Sequence, residues 1–269
     1  MKHAQHVLAL LTVVAGAAIL PQAAYAQDTA SGPQGYLALG AAVLPEYEGA
    51  DAGQTLPFVA ARVAWGHRYV AVEGVSARAN LLDARSWEAG PVASITFGRD
   101  DDVDSVRVAR LVPVDDAIEL GGFVARTWDD VGVDGGEARL EWRATADAGD
   151  AHGGWQSTVT AGYGAPLGAR WRVGADVSVT VVNDAFADTY FSVTPADALA
   201  SGLPTYRAEG GAKDVGVSAN AVYAMTETWS ITGFVGYRRL LGDAADSPIV
   251  RVEGAADQIS AGVGVGFSF

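Results

Sequence analysis

The chain of 269 residues contains no cysteine. That excludes a disulfide framework, a thiolate metal centre and a cysteine nucleophile. Basic residues are scarce: 18 Lys and Arg stand against 32 Asp and Glu, for a formal net charge of −14. A chain of that sign repels phosphate backbones, so nucleic acid is not an expected partner. Histidine is rare too, with four in all and two of them, His3 and His6, at the very start. Beyond the N-terminus no run of 18 apolar residues occurs, which removes a transmembrane helix from consideration. What the chain does have is glycine, 33 residues, and a broad scatter of 7 Trp, 9 Tyr and 8 Phe. Aromatics spread in this way argue against intrinsic disorder.

The first residues read as an address. Lys2, His3 and His6 precede the almost wholly apolar run from Val7 to Leu20. Pro21 and an Ala24-Tyr25-Ala26 cleavage site follow. This order predicts a secretory signal peptide over residues 1–26, its apolar part too short to anchor a membrane. No cysteine follows the site, so a lipidated N-terminus is excluded. An exported protein without thiols suits an oxidising compartment. Residues 27–35 are expected to form a short periplasmic segment and 36–269 the folded domain.

That domain alternates. In 137–147, Ala138, Leu140, Trp142, Ala144 and Ala146 share one parity, while Glu137, Arg139, Glu141, Arg143, Thr145 and Asp147 take the other. In 171–181, Trp171 and five Val or Ala residues oppose Arg172, Gly174, Asp176, Ser178 and Thr180. A period of two places the sets on opposite faces of a strand. Weaker versions occupy 36–44, 57–65, 69–78, 88–98, 117–127, 155–164, 214–225, 229–239 and 258–269. A soluble sandwich alternates as well. These segments, however, run to about ten residues, against a mode of about five or six in soluble sheets. Their apolar faces begin or end in aromatics such as Trp65, Trp87, Trp171, Trp229 and Tyr237. The opposite face carries charge and glycine, which a packed soluble core would not accept without partners. The pattern predicts an all-β transmembrane antiparallel barrel, with short periplasmic turns and longer extracellular loops. The segments number eleven, and bacterial single-chain barrels carry an even number of strands. The weakly alternating stretch 104–112 supplies the expected twelfth. Short connections at 66–68, 166–168 and 226–228 become periplasmic, and 45–56, 182–213 and 240–257 become outer loops. Pro91, inside an expected strand, predicts a bulge or a later start. The last segment ends on Phe269, and its register resembles the terminal signal read by outer-membrane assembly machinery.

Several loop words point to a family. Pro45-Glu46-Tyr47-Glu48-Gly49-Ala50-Asp51 resembles the P-x-Y-x-G-S-D motif that follows the first strand of the MipA/OmpV family of outer-membrane proteins. Tyr190–Thr194, Ser201–Tyr206 and Gly210–Asp214 resemble its long-loop pattern. Arg239-Leu240-Leu241-Gly242-Asp243-Ala244-Ala245-Asp246-Ser247-Pro248-Ile249-Val250 resembles its R-L-x-G-D-A-x-x-S-P-I-V block. Ala50 replaces the usual Ser, and Ser192 a common Gly. The resemblance implies an outer-membrane barrel in contact with lipid and lipopolysaccharide. The family's named member is described as a scaffold between peptidoglycan-remodelling enzymes, a role with no residue-by-residue signature here.

Chemistry is thin. After the leader only His67 and His152 remain, one in an expected turn and one in a Gly-rich loop, with no visible nucleophile or acid beside either. A non-enzymatic protein without cofactor or metal is expected. Asp100-Asp101-Asp102 and Asp104 lack EF-hand spacing and read as a solvated turn. Glu46, Glu48, Asp51, Asp243 and Asp246 read as soluble loop residues rather than as cation bridges. Arg62, Arg139, Glu141, Arg143, Arg172, Asp176 and Arg238 are expected to point into the lumen. There they either pair and close it, or form a charged constriction that makes a narrow pore for small solutes. The first and last outer loops, carrying Tyr47, Gly49, Asp51, Gly242, Asp243, Ser247 and Pro248, are expected to pack on one another as a cap.

Overall fold

Twelve antiparallel strands close on themselves in the computed structural model, which describes residues 33–269. The expected signal peptide, 1–26, and residues 27–32 lie outside the described residues. The strands are β1 (Gln34–Pro45), β2 (Gly53–Trp65), β3 (Arg68–Glu73), β4 (Ser76–Asn80), β5 (Trp87–Thr96) and β6 (Ala117–Asp129). They continue as β7 (Glu137–Asp147), β8 (Trp155–Leu167), β9 (Trp171–Val182), β10 (Gly211–Ala224), β11 (Trp229–Leu240) and β12 (Asp257–Ser268). Each pairs with the next, and β1 pairs with β12, Tyr36 opposite Ser268 and Val43 opposite Ala261. Closure leaves no strand with a free side along its whole length, which lipid could not satisfy. Among the described residues no helix is long and apolar enough to cross a membrane.

The strand number agrees with expectation, but two of its members do not. Residues 104–112 form no strand; they belong to the loop after β5 and contain a single 3-10 turn, Val108–Arg110. Val108 is buried there beneath loop residues, so its apolar character serves the loop and not the wall. The missing strand comes instead from 69–78, which divides into β3 and β4. Inward residues switch from odd (Tyr69, Ala71, Glu73) to even (Ser76, Arg78, Asn80) across Gly74-Val75, and Gly74 takes φ +59°. A two-residue turn of this kind needs positive φ, which glycine adopts without strain.

Two prolines mark this short hairpin. Val59 accepts from the Gly74 N–H, so by the two-residue period Pro57 also presents its nitrogen to the β3 side. Pairing with β3 runs only from Ala60 to Trp65, so Pro57 faces an edge where no N–H is required. Pro91 lies inside β5 without a bulge or later start. It faces β4, whose pairing with β5 is confined to residues 92–94. Below that point Asn80, buried, stands in for the ladder. Its side chain accepts from the Ala89 and Leu82 N–H groups and donates to the His67 and Leu82 carbonyls.

The outer face is apolar: Leu39, Val70, Leu120, Leu140, Val159, Val177, Val235 and Val263 are all exposed. Trp65, Trp87, Trp128, Trp171 and Trp229 ring the end with the short connections, where Trp171 lies against Tyr223 and Trp229 against Phe267. Trp and Tyr favour the headgroup level, so the external apolar band ends there. That end faces the periplasm. The long connections gather at the other, extracellular end and carry α1 (Asp184–Phe191), α2 (Pro195–Ser201), α3 (Gly242–Asp246) and α4 (Pro248–Arg251). The protein is an outer-membrane β-barrel.

Candidate functional site in the lumen and its extracellular cap

Inward positions on β2 to β7 carry most of the charge. Arg78 on β4 reaches Glu73 on β3 and Glu141 on β7, both at 3.0 Å. Arg139 on β7 pairs with Glu88 on β5 at 2.9 Å and with Glu141 at 2.8 Å. Tyr69 donates to Glu88 at 2.6 Å, and the Arg62 guanidinium lies over the Tyr69 ring, 3.6 Å from its centroid. These bonds form a chord that skips intervening strands. In a low-dielectric enclosure such charges are costly unless paired. Lower down, Arg172 pairs with Glu137. Asp176 on β9 accepts from the Ser218 hydroxyl at 2.6 Å.

The opposite wall is apolar. Ala38, Ala42, Leu44, Phe58 and Ala60 are buried together, with Leu56, Val75 and Phe234 against them. The Phe58 and Phe234 rings, on β2 and β11, lie 6.0 Å apart. A Cβ on Gly262 would stand 2.4 Å from the Phe234 ring, so this glycine makes room for the aromatic to cross.

Above these chords lies a chamber of about 180 Å³. Glu73, Arg78, Glu141 and Arg143 form its floor, rows of Ser and Thr from β8, β9 and β10 one side, and Pro45–Glu48 with Lys213 and Arg238 its roof. Glu48 dips inward from the first outer loop. Its carboxylate meets Lys213 Nζ at 3.0 Å and Arg238 at 3.5 Å, while Asp214 lies 3.5 Å from Lys213. Burial alone raises the Glu48 pKa, but Arg238 and Lys213 outweigh it and hold the carboxyl down at about 2.

The first and last outer loops pack together over this roof. Ala255 N–H donates to the Gly49 carbonyl at 2.9 Å, and Gln258 bridges Gly49 N–H and the Ala50 carbonyl. Gly49 has φ +96°, and a Cβ there would meet Val250 at 2.5 Å. Tyr47 is buried with Ile249, Val108, Val193 and Leu203, and this burial pushes its hydroxyl up to about 12. Pro45 ends β1. Asp51 is exposed, while Asp243 accepts from the Glu209 N–H at 2.8 Å, so these two acids serve different loops. Ser247 is fully buried; its hydroxyl donates to the Phe191 carbonyl and accepts from Ile249 N–H, starting α4 with Pro248 in its first turn. Gly242, φ +50°, opens α3. Arg239 points outward and pairs with Asp257 at 2.6 Å.

Residues outside the expected set complete the cap. Asn183 caps α1 by accepting from Phe186 N–H, and Thr194 with Asp197 forms a capping box on α2. The sequence carries the capping residues for both, but alternation is a strand signal and reads 182–213 only as a loop. His152 is buried against Glu119 at 3.2 Å, and its Nδ1 accepts from Gly154 N–H. Nε2 therefore carries the proton that Glu119 accepts. Glu119 also accepts from Thr145 at 2.7 Å and Gln156 at 2.7 Å. The pair ties the β7–β8 loop to the wall; a separation of 33 positions leaves no sequence signal for it. Asp100 accepts from Asp102 N–H in a local turn, and Asp104 N–H donates to Glu46.

Among solved structures the chain is similar to the NanC porin, at 11% identity and TM-score 0.43, over 88% of this chain and 98% of that one. It is similar to an outer-membrane channel from Pseudomonas putida F1, at 11% identity and TM-score 0.46, over 88% and 96%. A third likeness is to the KdgM porin, at 11% identity and TM-score 0.39, over 88% and 99%. No curated protein matches the chain. The family model described as MltA-interacting protein MipA matches residues 37–269, from the first strand to the last residue. The chain belongs to that family.

Proposed function

We propose that this protein is a non-enzymatic outer-membrane barrel with a closed lumen, acting as a scaffold in the envelope rather than as an open channel. The observation that supports closure is the double obstruction: the Arg78–Glu141 and Phe58–Phe234 chords below, and the Glu48 roof above. A scaffold needs an accessible periplasmic face. Among the described residues only the 81–86 and 130–136 connections at that end exceed a tight turn, and Asp83, Arg85, Asp130 and Asp134 place charge on them. A peptidoglycan-remodelling partner, of the kind the family is named for, would dock on those two connections.

A narrow pore for small solutes is the competing reading, favoured by the chamber itself. Planar-bilayer recording of the refolded protein separates the two. The closed scaffold gives no stable conductance steps, whereas stable steps in the unaltered protein would overturn closure. Cross-linking from native envelopes, with and without charge reversal at Asp83 and Asp134, tests the docking face. An undiminished cross-link to murein enzymes would move the partner surface elsewhere.

A further inference from the structure

One lumen cation, Arg143, feels the field of Glu141, Glu119 and Glu73 but is bonded to none of them. Among the described residues no hydrogen bond or ion pair involves the Arg143 guanidinium, although it lines the chamber. The carboxylates around it are committed. Glu73 and Glu141 bind Arg78, and Glu141 also binds Arg139. Glu119 accepts from Thr145, Gln156 and His152. An enclosed guanidinium with five unused donors in a planar fork is costly unless an acceptor or water meets it. Its fork matches a carboxylate.

The wall beside Arg143 is equally specific in kind. Arg143 stands opposite Thr158 on β8, and Thr158 stands opposite Thr180 on β9, their hydroxyls 3.1 Å apart. Thr160 and Ser178 repeat the row one step lower. Hydroxyls both donate and accept, so rows of them recognise ligand hydroxyls. The chamber, at about 180 Å³, exceeds the roughly 150 Å³ of a cavity able to take up benzene. We infer that the chamber is a binding site for a small polyhydroxylated carboxylate of the sugar-acid class, with Arg143 holding the carboxylate and the Thr158–Thr180 row the hydroxyls. Of the other charges lining the chamber, Glu73 and Glu141 are taken by Arg78 and Arg139, and Lys213 and Arg238 by Glu48 and Asp214, so Arg143 is the cation left for an anionic group and the hydroxyl rows for its neutral part. The inference is independent of the scaffold reading, because it concerns the chamber and not conduction or the periplasmic rim.

Titration calorimetry on refolded protein in detergent tests it, with D-glucuronate as probe and D-glucose, acetate and inorganic phosphate as comparators. Glucuronate should bind at least tenfold more tightly than each comparator. Arg143→Gln should weaken it tenfold or more, and Arg143→Lys should restore part of the loss. Thr158→Val with Thr180→Val should weaken glucuronate and leave acetate unchanged. Glu48→Gln, which loosens the roof, controls for access, and heat-modified gel migration verifies the fold of every variant. No binding in either the wild-type protein or Glu48→Gln overturns the site. Equal affinity for phosphate or acetate overturns the ligand class, and an unchanged affinity in folded Arg143→Gln overturns the role of Arg143.

Discussion

Adjacent residues in one strand live in different solvents here. Val177 is 55% exposed on the outer face, whereas Ser178 lines the chamber. Val177→Arg should therefore destabilise the barrel by about 2–4 kcal/mol, and Ser178→Arg by much less. Comparing urea midpoints of heat-modified migration checks the register, and equal effects would contradict it. Glu48 makes a pH-dependent claim. Its pKa in the fold, about 2, lies below the ordinary 4.5. Its contribution is thus fully present above pH 4.5 and is lost as pH falls through 2, on the order of 3 kcal/mol in all. Wild type should exceed Glu48→Gln in thermal midpoint by a constant margin at neutral pH, and that margin should close near pH 2. A margin that stays constant down to pH 2 would show that Glu48 is not held by Lys213 and Arg238.

The short hairpin is the element that departs most from its neighbours, and its stability rests on replacements for missing ladder bonds. Asn80 makes four such bonds, so Asn80→Ala should cost about 2–3 kcal/mol. Asp83→Ala, in the following connection, should cost under about 0.5 kcal/mol. Proline placement gives a sharper contrast. Pro57→Ala should be nearly neutral, because that edge has no partner. Ala61→Pro should lose a ladder bond to β3, where Ala61 stands opposite Val72, and cost at least about 1–3 kcal/mol. Chemical denaturation followed by gel migration ranks the four variants.

At the scale of the whole barrel, the closed-lumen proposal rests on two chords and a cap. Arg78 is the centre of the charged chord, so Arg78→Ala leaves Glu73 and Glu141 short of a cation. Breaking a buried network in this way costs about 3–5 kcal/mol. The closed reading adds a second consequence, the appearance of conductance steps absent from the unaltered protein. A stability loss without conductance would place the seal in the cap or at the aromatic pair instead.

Alternation with period two, about ten residues long, determined the barrel class, the outward and inward faces and most strand positions, because lipid on one side and a polar lumen on the other impose that period on every strand. It failed where alternation and pairing come apart. Residues 69–78 alternate smoothly through a turn, and 104–112 alternate weakly without any strand to pair with. The loop words Tyr47, Gly49, Ser247 and Pro248 were legible as words, but their contacts join residues about 200 positions apart. Only the meeting of β1 with β12 brings those loops together. The same holds inside the lumen. Sequence placed Arg139, Glu141 and Arg143 on one inward face, yet it assigned them no partners. Tertiary closure set Arg78 from β4 against Glu141 and left Arg143 facing the chamber, because ion pairing depends on distances across the lumen that no local pattern encodes.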